Sequence, residues 1–558
     1  MRNMPIGEML KEYGYITEDQ IKQALVIQKQ DRSKKLGQIL VELGYISEKE
    51  VLDALGKRMG LQIIRLDTFK IDVKAVAKIP KQLALKYNMI AITEQTGKLT
   101  VAMSDPLNFY AVEDVRQVTG MTLEVYLAES ADIVKAINLY YSEVGAKVAA
   151  EKANISAIPN APSIEELKEA ESGDDVPIVK FLNSLIVHGY STQTSDIHIE
   201  PFESKTAVRM RTDGMLVDYL TLSNTIHKQL VARIKIMSGL DIAERRVPQD
   251  GHFRNFIDGY DINVRVSILP TIYGEKAVLR YLSTNTKVDN SGCFGMNDEN
   301  YEKMMKMIRN PNGIIYITGP TGSGKTTTLY MILEYLSQKP VNISTIEDPV
   351  ERSLPRINQT QVNVLAGLTF EAGLRSLLRQ DPDIIMVGET RDGETAQISV
   401  RAAITGHLVC STLHTNDAIS SIVRIEDMGV QPYLVANSVV GIVAQRLVRK
   451  VCPNCAYDYD PDPAEREAIG PDIQKVVKGK GCHMCNNTGY KGRISVHEMV
   501  LIDKPMKRMI TNQAPIDDIY DYATKEQGMK TLKQSALELV AQGVTTVEEM
   551  LKICQTAE

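Results

Sequence analysis

The alternation of hydrophobic and polar positions opens on a repeat. Gly7, Leu10, Gly14-Tyr15-Ile16, Glu18, Ile21 and Ala24-Leu25 return as Gly37, Leu40, Gly44-Tyr45-Ile46, Glu48, Val51 and Ala54-Leu55, every pair 30 residues apart. Each unit predicts two short helices broken at Gly14 or Gly44. A capping signal then restarts the chain, Thr17-Glu18-Asp19-Gln20 or Ser47-Glu48-Lys49-Glu50. Two copies are too few for a solenoid, so residues 1–60 are expected to form a small helical module. Strand-like runs at Leu61–Ile64, Met89–Ile92, Leu99–Ala102 and Thr122–Val125 then alternate with helical ones, which predicts an α+β domain over 61–143. Residues 144–175 collect Ala, Asn, Pro, Ser and acids without periodicity and read as a flexible linker. A helix at Ile178–Gly189 and alternating strands through about Tyr281 mark a further domain over 176–285. A βα pattern from Gly313 to about Val451 follows, then a cysteine-rich insertion and a helical tail. These divide the rest into 286–450, 451–495 and 496–558.

Composition narrows the class. A chain of 558 residues allows about three or four domains. With 44% apolar and 24% charged residues, it is not collagen-like, mucin-like or largely disordered. The longest uncharged window, the 18 residues Met428–Gln445, includes Gly429, Gln431, Pro432, Asn437, Ser438 and Gly441. It is too polar and broken to span a bilayer, and a buried helix from about Tyr433 is expected instead. Met1-Arg2-Asn3-Met4-Pro5 lacks the apolar core of a secretory signal. A net charge of −6 speaks against an electrostatic nucleic-acid binder. Seven cysteines without a signal peptide point to reduced thiols or metal rather than disulfides. The expectation is a soluble, cytoplasmic, multidomain protein without a transmembrane segment.

The strongest chemical signal is Gly319-Pro320-Thr321-Gly322-Ser323-Gly324-Lys325-Thr326, a full G-x-x-x-x-G-K-[ST] pattern. It lies between a strand-like run, Gly313–Thr318, and a helical one from Thr326 to Leu336. Glycines let backbone N–H groups turn around phosphate oxygens at a helix N-terminus. Lys325 is expected to supply charge to the β/γ-phosphates, Thr326 to ligate Mg²⁺, and Thr327 to line the same site. Asp383–Glu389 predicts a buried strand ending in a carboxylate, so Glu389 is expected to hold Mg²⁺ through water. Ile343–Ile346 leads into Glu347-Asp348-Pro349-Val350-Glu351, from which one acid is a candidate to orient the attacking water. A further strand, from His407, ends at His414, a candidate γ-phosphate sensor.

These segments, together with Thr345–Glu351, Asp381–Asp392 and Thr405–Asn416, resemble the secretion-type ATPases. Within them the likeness is to the branch that drives type IV pilus assembly and type II secretion. The resemblance implies an α/β multidomain chain with a RecA-like P-loop ATPase core, a preceding PAS-like α+β domain over 176–285 and a zinc-binding insertion. It implies Glu351 as catalytic base, Glu389 as the Walker-B acid and His414 as the His-box residue. Ser195–Pro201 and Val247–Gly251 match the same branch. Arginine fingers are implied at Arg265 and Arg280, with Arg375 and Arg379 as secondary candidates; guanidinium groups spread the charge that develops on the γ-phosphoryl. Lys276 receives no role.

Cys452-Pro453-Asn454-Cys455 and Cys482-His483-Met484-Cys485 are two C-x-x-C pairs with 26 residues between them. Four thiolates close a tetrahedral Zn²⁺ site without an open position, so the expected metal is structural. Cys293, Cys410 and Cys554 lack a partner motif. Lys35-Leu36-Gly37 with Leu40 and Gly44 resembles cyclic di-GMP-binding modules, whereas Pro5-Ile6-Gly7 in the first copy has no basic residue. A protein-docking module is the competing reading of this repeat.

The resemblance further implies a homo-hexamer at the inner face of the cell membrane, using ATP and Mg²⁺. It would act on the polytopic platform protein of that membrane to polymerise pilins. Type II secretion is the alternative, since both systems share every motif. Retraction motors fit less well, being shorter and without the cysteine insertion. Two other classes compete with the motor: a cyclic-dinucleotide sensor whose ATP site only locks a conformation, and a nucleic-acid-stimulated ATPase. The second is opposed by the acidic balance, the lack of a basic run and the absence of tryptophan.

Overall fold

The computed structural model describes residues 5–31, 34–66, 69–156, 177–257, 259–282, 291–485 and 487–555. The chain divides into two compact units, Met1–Asn285 and Thr286–Glu558.

In the first unit the repeat folds as four helices, Ile6–Glu12, Glu18–Gln30, Leu36–Glu42 and Glu48–Met59. Thr17 with Gln20 and Ser47 with Glu50 form the capping boxes. Gly14 and Gly44 take the left-handed conformation at the breaks, with φ of 77° and 71°. Leu10, Ile39 and Leu40 are fully buried between the two copies. Next comes a three-stranded sheet of β1 (Met89–Gln95), β2 (Lys98–Met103) and β3 (Thr122–Leu127). The run expected as a strand at Leu61–Ile64 makes only one bridge, Ile63 to Leu127.

The expected linker starts too early. Residues 144–156 are the last turns of the helix Ser130–Ser156, and 157–175 lie outside the described residues. Ala149 and Ala150 are buried in one cluster with Ile178 and Val179 of the helix Pro177–Ser191. Alanine is the best helix former, and buried packing makes that propensity decisive here.

Residues 177–282 build a six-stranded antiparallel sheet in the order β6 (Met215–Leu222), β5 (Thr206–Thr212), β4 (Thr194–Pro201), β9 (Gly274–Tyr281), β8 (Tyr260–Thr271) and β7 (Gln249–Ile257). The period of two separates its faces. Ile197 and Ile199 join the core with the helices Pro177–Ser191 and Asn224–Met237. Asp196, His198 and Glu200 point the other way.

The second unit is organised by a seven-stranded sheet. Its order is β12 (Asn358–Gln361), β11 (Ile343–Glu347), β13 (Ile384–Val387), β14 (Leu408–Leu413), β10 (Gly313–Thr318), β15 (Val439–Val451) and β18 (Tyr490–Leu501). All are parallel except β18, which runs antiparallel to β15. Every residue of β10, β11, β13 and β14 is buried, as a parallel sheet covered on both faces requires. This sheet with its helices is the RecA-like core, and its last strand, β18, lies outside the span 286–450 expected for it.

Two expectations change. The helix foreseen from Tyr433 is only Pro432–Ser438; Val439–Val451 is a strand. A continuous apolar run does not distinguish buried helix from buried strand, and pairing with β10 settles it. The tail expected to be helical from 496 begins as β18 and turns helical only at Lys504. Between β15 and β18 lie β16 (Ala456–Tyr459), β17 (Val476–Gly479) and the helix Pro463–Ile469.

Arg449 on β15 holds the C-terminal helix: its Nη2 donates to Glu549 Oε1 at 2.7 Å, and both side chains are buried. Burial opposes ionisation of Glu549, but the Arg449 and Lys552 partners overcome it and hold the carboxyl at about 2. The pair therefore stabilises the fold above the ordinary carboxylate range and loses that effect as pH falls toward 2. Glu549→Ala should lower unfolding free energy by about 3 kcal/mol in chemical denaturation at pH 7, because it strands a buried guanidinium.

Candidate functional site

The loop after β10 is shaped by two backbone constraints. Gly319 has φ of 148°, and a Cβ there would lie 2.4 Å from the Gln445 carbonyl oxygen. Gly324 has φ of 87° and precedes the helix Lys325–Leu336, whose first N–H groups face the loop. Lys325 is buried, and its Nζ donates to the carbonyls of Gly319 at 2.6 Å and Pro320 at 3.1 Å. Burial pushes its pKa down to about 8, Arg446 adds to the depression and Glu389 opposes it. Thr326 is half-buried behind the loop, and Thr327 is exposed.

Adjacent strands β13, β14 and β10 bring three predicted residues together. Glu389 lies just past β13, its side chain 13% exposed, with Arg391 Nη2 at 2.6 Å and His414 Nε2 at 3.7 Å. Lys325 is the third member, interacting electrostatically with both Glu389 and His414. Burial and Lys325 lower the His414 pKa against the pull of Glu389, which favours its neutral imidazole.

The acids after β11 differ in environment. Glu347 is buried, accepting hydrogen bonds from Tyr330 Oη, from Thr345 Oγ1 at 2.5 Å and from Gln359 Nε2 at 3.0 Å. Glu351 lies four residues on and is half-buried; its N–H donates to Tyr330 Oη at 3.1 Å. Tyr330 belongs to the helix after the glycine loop, so one phenol ties both acids' segments to it. Sequence reasoning singled out neither Tyr330 nor Arg391. The pairing of Arg391 with Glu389 was detectable only as a basic residue two positions after the acid.

In the first unit Arg265 and Arg280 are directly opposed on β8 and β9. They belong to one transverse row, Arg211, Asp196, Arg280, Arg265 and His252, running across five strands. Arg280 Nε donates to Asp196 Oδ1 at 2.7 Å. Lys276, unassigned by sequence, pairs with buried Glu200 at 2.7 Å, alongside Arg209 at 2.5 Å. Arg375 pairs with Glu371 at 2.8 Å and Glu394 at 3.6 Å, and Arg379 Nη1 donates to the Arg375 carbonyl at 2.9 Å. Lys35 of the N-terminal repeat is ion-paired with Asp105.

The four predicted thiols form one cluster, with every Sγ within 4.8 Å of the others. Sγ separations are 3.8 Å for Cys452–Cys482, 3.9 Å for Cys455–Cys485 and 3.7 Å for Cys482–Cys485. Zinc–sulfur bonds of about 2.3 Å in a tetrahedron require edges of about 3.8 Å, so this donor set fits Zn²⁺. Burial disfavours the Cys485 thiolate, but N–H groups of Cys482 and Gly489, each 3.2 Å from its sulfur, prevail and lower its pKa to about 7. Gly479 permits the closure, since a Cβ there would lie 2.2 Å from the Gly489 carbonyl oxygen. No described helix is long and apolar enough to cross a membrane.

Comparison with known proteins gives consistent matches. The family model described as type II/IV secretion system protein matches residues 171–552, and the MshEN domain matches 59–147. The type IV pilus assembly ATPase PilB of Myxococcus xanthus is 37% identical over 558 residues, covering 98% of each chain. The protein of the same name from Thermus thermophilus is 40% identical over 509 residues, 89% of this chain, which spans only 56% of that relative's length. The type II secretion system ATPase E of Vibrio cholerae is 36% identical over 500 residues, 86% of this chain and 97% of the relative. The crystal structure of the ATPase DotB from Legionella pneumophila shares the fold. It has a TM-score of 0.51 and 21% identity, and the match covers 70% of this chain and 98% of that one.

Lys325 loses its proton above about pH 8, so anion binding there must take one up; the KM for ATP should rise about five- to tenfold between pH 7.5 and 9. Lys325→Arg, charged throughout, should flatten that limb. The chain should carry one zinc ion per molecule by atomic absorption. Cys482→Ser should lose the metal and melt at lower temperature in reducing buffer.

Proposed function

Because the chain belongs to the type II/IV secretion system ATPase family, it is an ATPase, and we propose that it is the hexameric motor of type IV pilus assembly. The observation that carries this reading is the convergence of Lys325, Glu389 and His414 at three neighbouring strand ends beside a glycine loop. In this reading residues 319–327 cradle the triphosphate, with Lys325 on the β/γ-phosphates and Thr326 on Mg²⁺. Glu389 holds that Mg²⁺ through water, Glu351 orients and deprotonates the attacking water, and His414 senses the γ-phosphate. Glu347 is better read as a structural acid, because its oxygens are engaged by Tyr330, Thr345 and Gln359.

Arg265 and Arg280 serve as arginine fingers, spreading charge on the transferring phosphoryl. Arg280 must leave Asp196 to do so. Arg375 and Arg379 are secondary candidates. The functional division of the chain keeps 1–60 and 61–143 for docking, 176–285 for the fingers, 286–450 for hydrolysis and 451–495 for a structural zinc. ATP turnover at subunit boundaries moves the finger domain against the RecA-like core. The stroke passes to an inner-membrane platform protein from the cytoplasmic face.

Pilus assembly is preferred because the Myxococcus relative matches over 98% of both chains, the helical repeat included. Type II secretion stays the second reading, supported by the Vibrio relative. Cyclic di-GMP is proposed as a ligand of the second repeat copy, where binding at Lys35 has to displace Asp105.

Lys325→Ala and Glu351→Ala should each lose at least about a hundredfold in ATP turnover. Unchanged hydrolysis in both would end the motor reading. A deletion strain should lack pili and still secrete its extracellular enzymes; the reverse phenotype would select type II secretion.

A further inference from the structure

Two neighbouring residues on β15, Gln445 and Arg446, are buried polar groups that no motif reading marks. The strand register places Ala444 opposite Thr318, so both side chains emerge immediately beyond the end of β10. Gln445 grips the glycine loop from beneath. Its Oε1 accepts from Thr328 Oγ1 at 2.9 Å, and its Nε2 donates to the Ser323 carbonyl at 2.8 Å. The fit is close enough that a Cβ on Gly324 would lie 2.9 Å from Gln445 Nε2.

Arg446 reaches the other side. Its Nη2 donates to the Asn416 carbonyl at 2.7 Å and its Nη1 to the Gln445 carbonyl at 3.1 Å. A Cβ on Gly319 would lie 3.0 Å from Nη1, so the guanidinium also backs the loop's first residue. Asn416 is two residues past His414. The rest of that loop is tied down around it: the Thr415 N–H donates to Thr318 Oγ1 at 2.9 Å, and the Ala418 N–H donates to Glu498 Oε1 at 2.8 Å.

Burial disfavours the Arg446 charge and its Nε has no hydrogen-bond partner, a cost that the nearby carboxylates of Glu498 and Asp417 oppose. Arg446 also lies near enough to Lys325 to disfavour its charge. An anion between the loop and the helix relieves that repulsion.

We propose that Gln445 and Arg446 are positioning residues for ATP hydrolysis. Gln445 holds residues 319–326 in their phosphate-accepting form, and Arg446 fixes the 414–418 loop so that His414 stays beside Glu389. The inference rests on the cradle assignment above and predicts opposite kinetic signatures for two adjacent residues. Gln445 holds the empty loop in its phosphate-accepting form, so its loss adds an ordering cost to nucleotide binding. Arg446 sets the geometry around the reacting end, so its loss slows turnover.

The test compares Gln445→Met, Arg446→Met and Arg446→Lys in the full chain, with thermal melting as a folding check. Gln445→Met should raise the Kd for a fluorescent ADP analogue and the KM for ATP about tenfold, with a smaller change in kcat. Arg446→Met should lower kcat about tenfold or more while ADP affinity stays within about threefold. Arg446→Lys, keeping one donor toward Asn416, should recover part of that loss. Should Gln445→Met fail to fold, Thr328→Val breaks the same clamp from its other end and should give the same rise in Kd. The proposal is overturned if folded variants match the wild type in KM, kcat and ADP affinity. It is equally overturned if both residues change KM and kcat together in proportion to lost melting temperature. Lys325→Ala separates the two failures: wild-type nucleotide affinity there removes the cradle itself, whereas a loss there beside silent Gln445 and Arg446 variants removes only this inference.

Discussion

A six-residue strand with no exposed residue, Gly313–Thr318, fixes the geometry of the ATPase unit. Covered on both faces and paired on both edges, β10 cannot shift without breaking two parallel ladders. Its C-terminal end is therefore a rigid platform. The glycine loop leaves from it, His414 and Glu389 are delivered by the strands one and two places away respectively, and Gln445 arrives from the other neighbour. Parallel order puts the exits of the six parallel strands on one rim, where polar and charged groups gather without crossing the core.

That rim was largely legible in the sequence, because its signals are local. The glycine spacing, the strand before it and the helix after it occupy consecutive positions, so Lys325 and Thr326 were placed without knowledge of the sheet. Glu389 and His414 were legible for the same reason: each follows a short apolar run. What stayed hidden were groups whose partners are distant in sequence and chemically anonymous. Gln445 and Arg446 bond to the Ser323 and Asn416 carbonyls, and any residue type offers a carbonyl. The difference between Glu347 and Glu351 was equally hidden, since it depends on the Tyr330 hydroxyl arriving from another element.

The misplaced elements share another cause. Residues 144–156 were assigned by composition, which conceals the helix-forming strength of their alanines once a partner helix is present. Residues 439–444 are uncharged and mostly apolar, and the strand identity of 439–451 comes from β10 and β18 rather than from any internal period. In the first unit the arginines were recognisable only through family likeness. Their common row with Asp196 is a product of register, which a single strand's sequence does not contain.

The edges of the large sheet bear on how such a protein survives at high local density. One edge, β12, is four residues long and reads Asn-Gln-Thr-Gln, while the opposite strand β18 is overlaid by the helix Leu532–Ala541. A short hydrophilic border offers too few free amides and too little grease to recruit a strand from another molecule. Copies crowded together thus gain nothing from edge-to-edge stacking, and solubility is protected at the place where a parallel sheet is otherwise most prone to grow into aggregates.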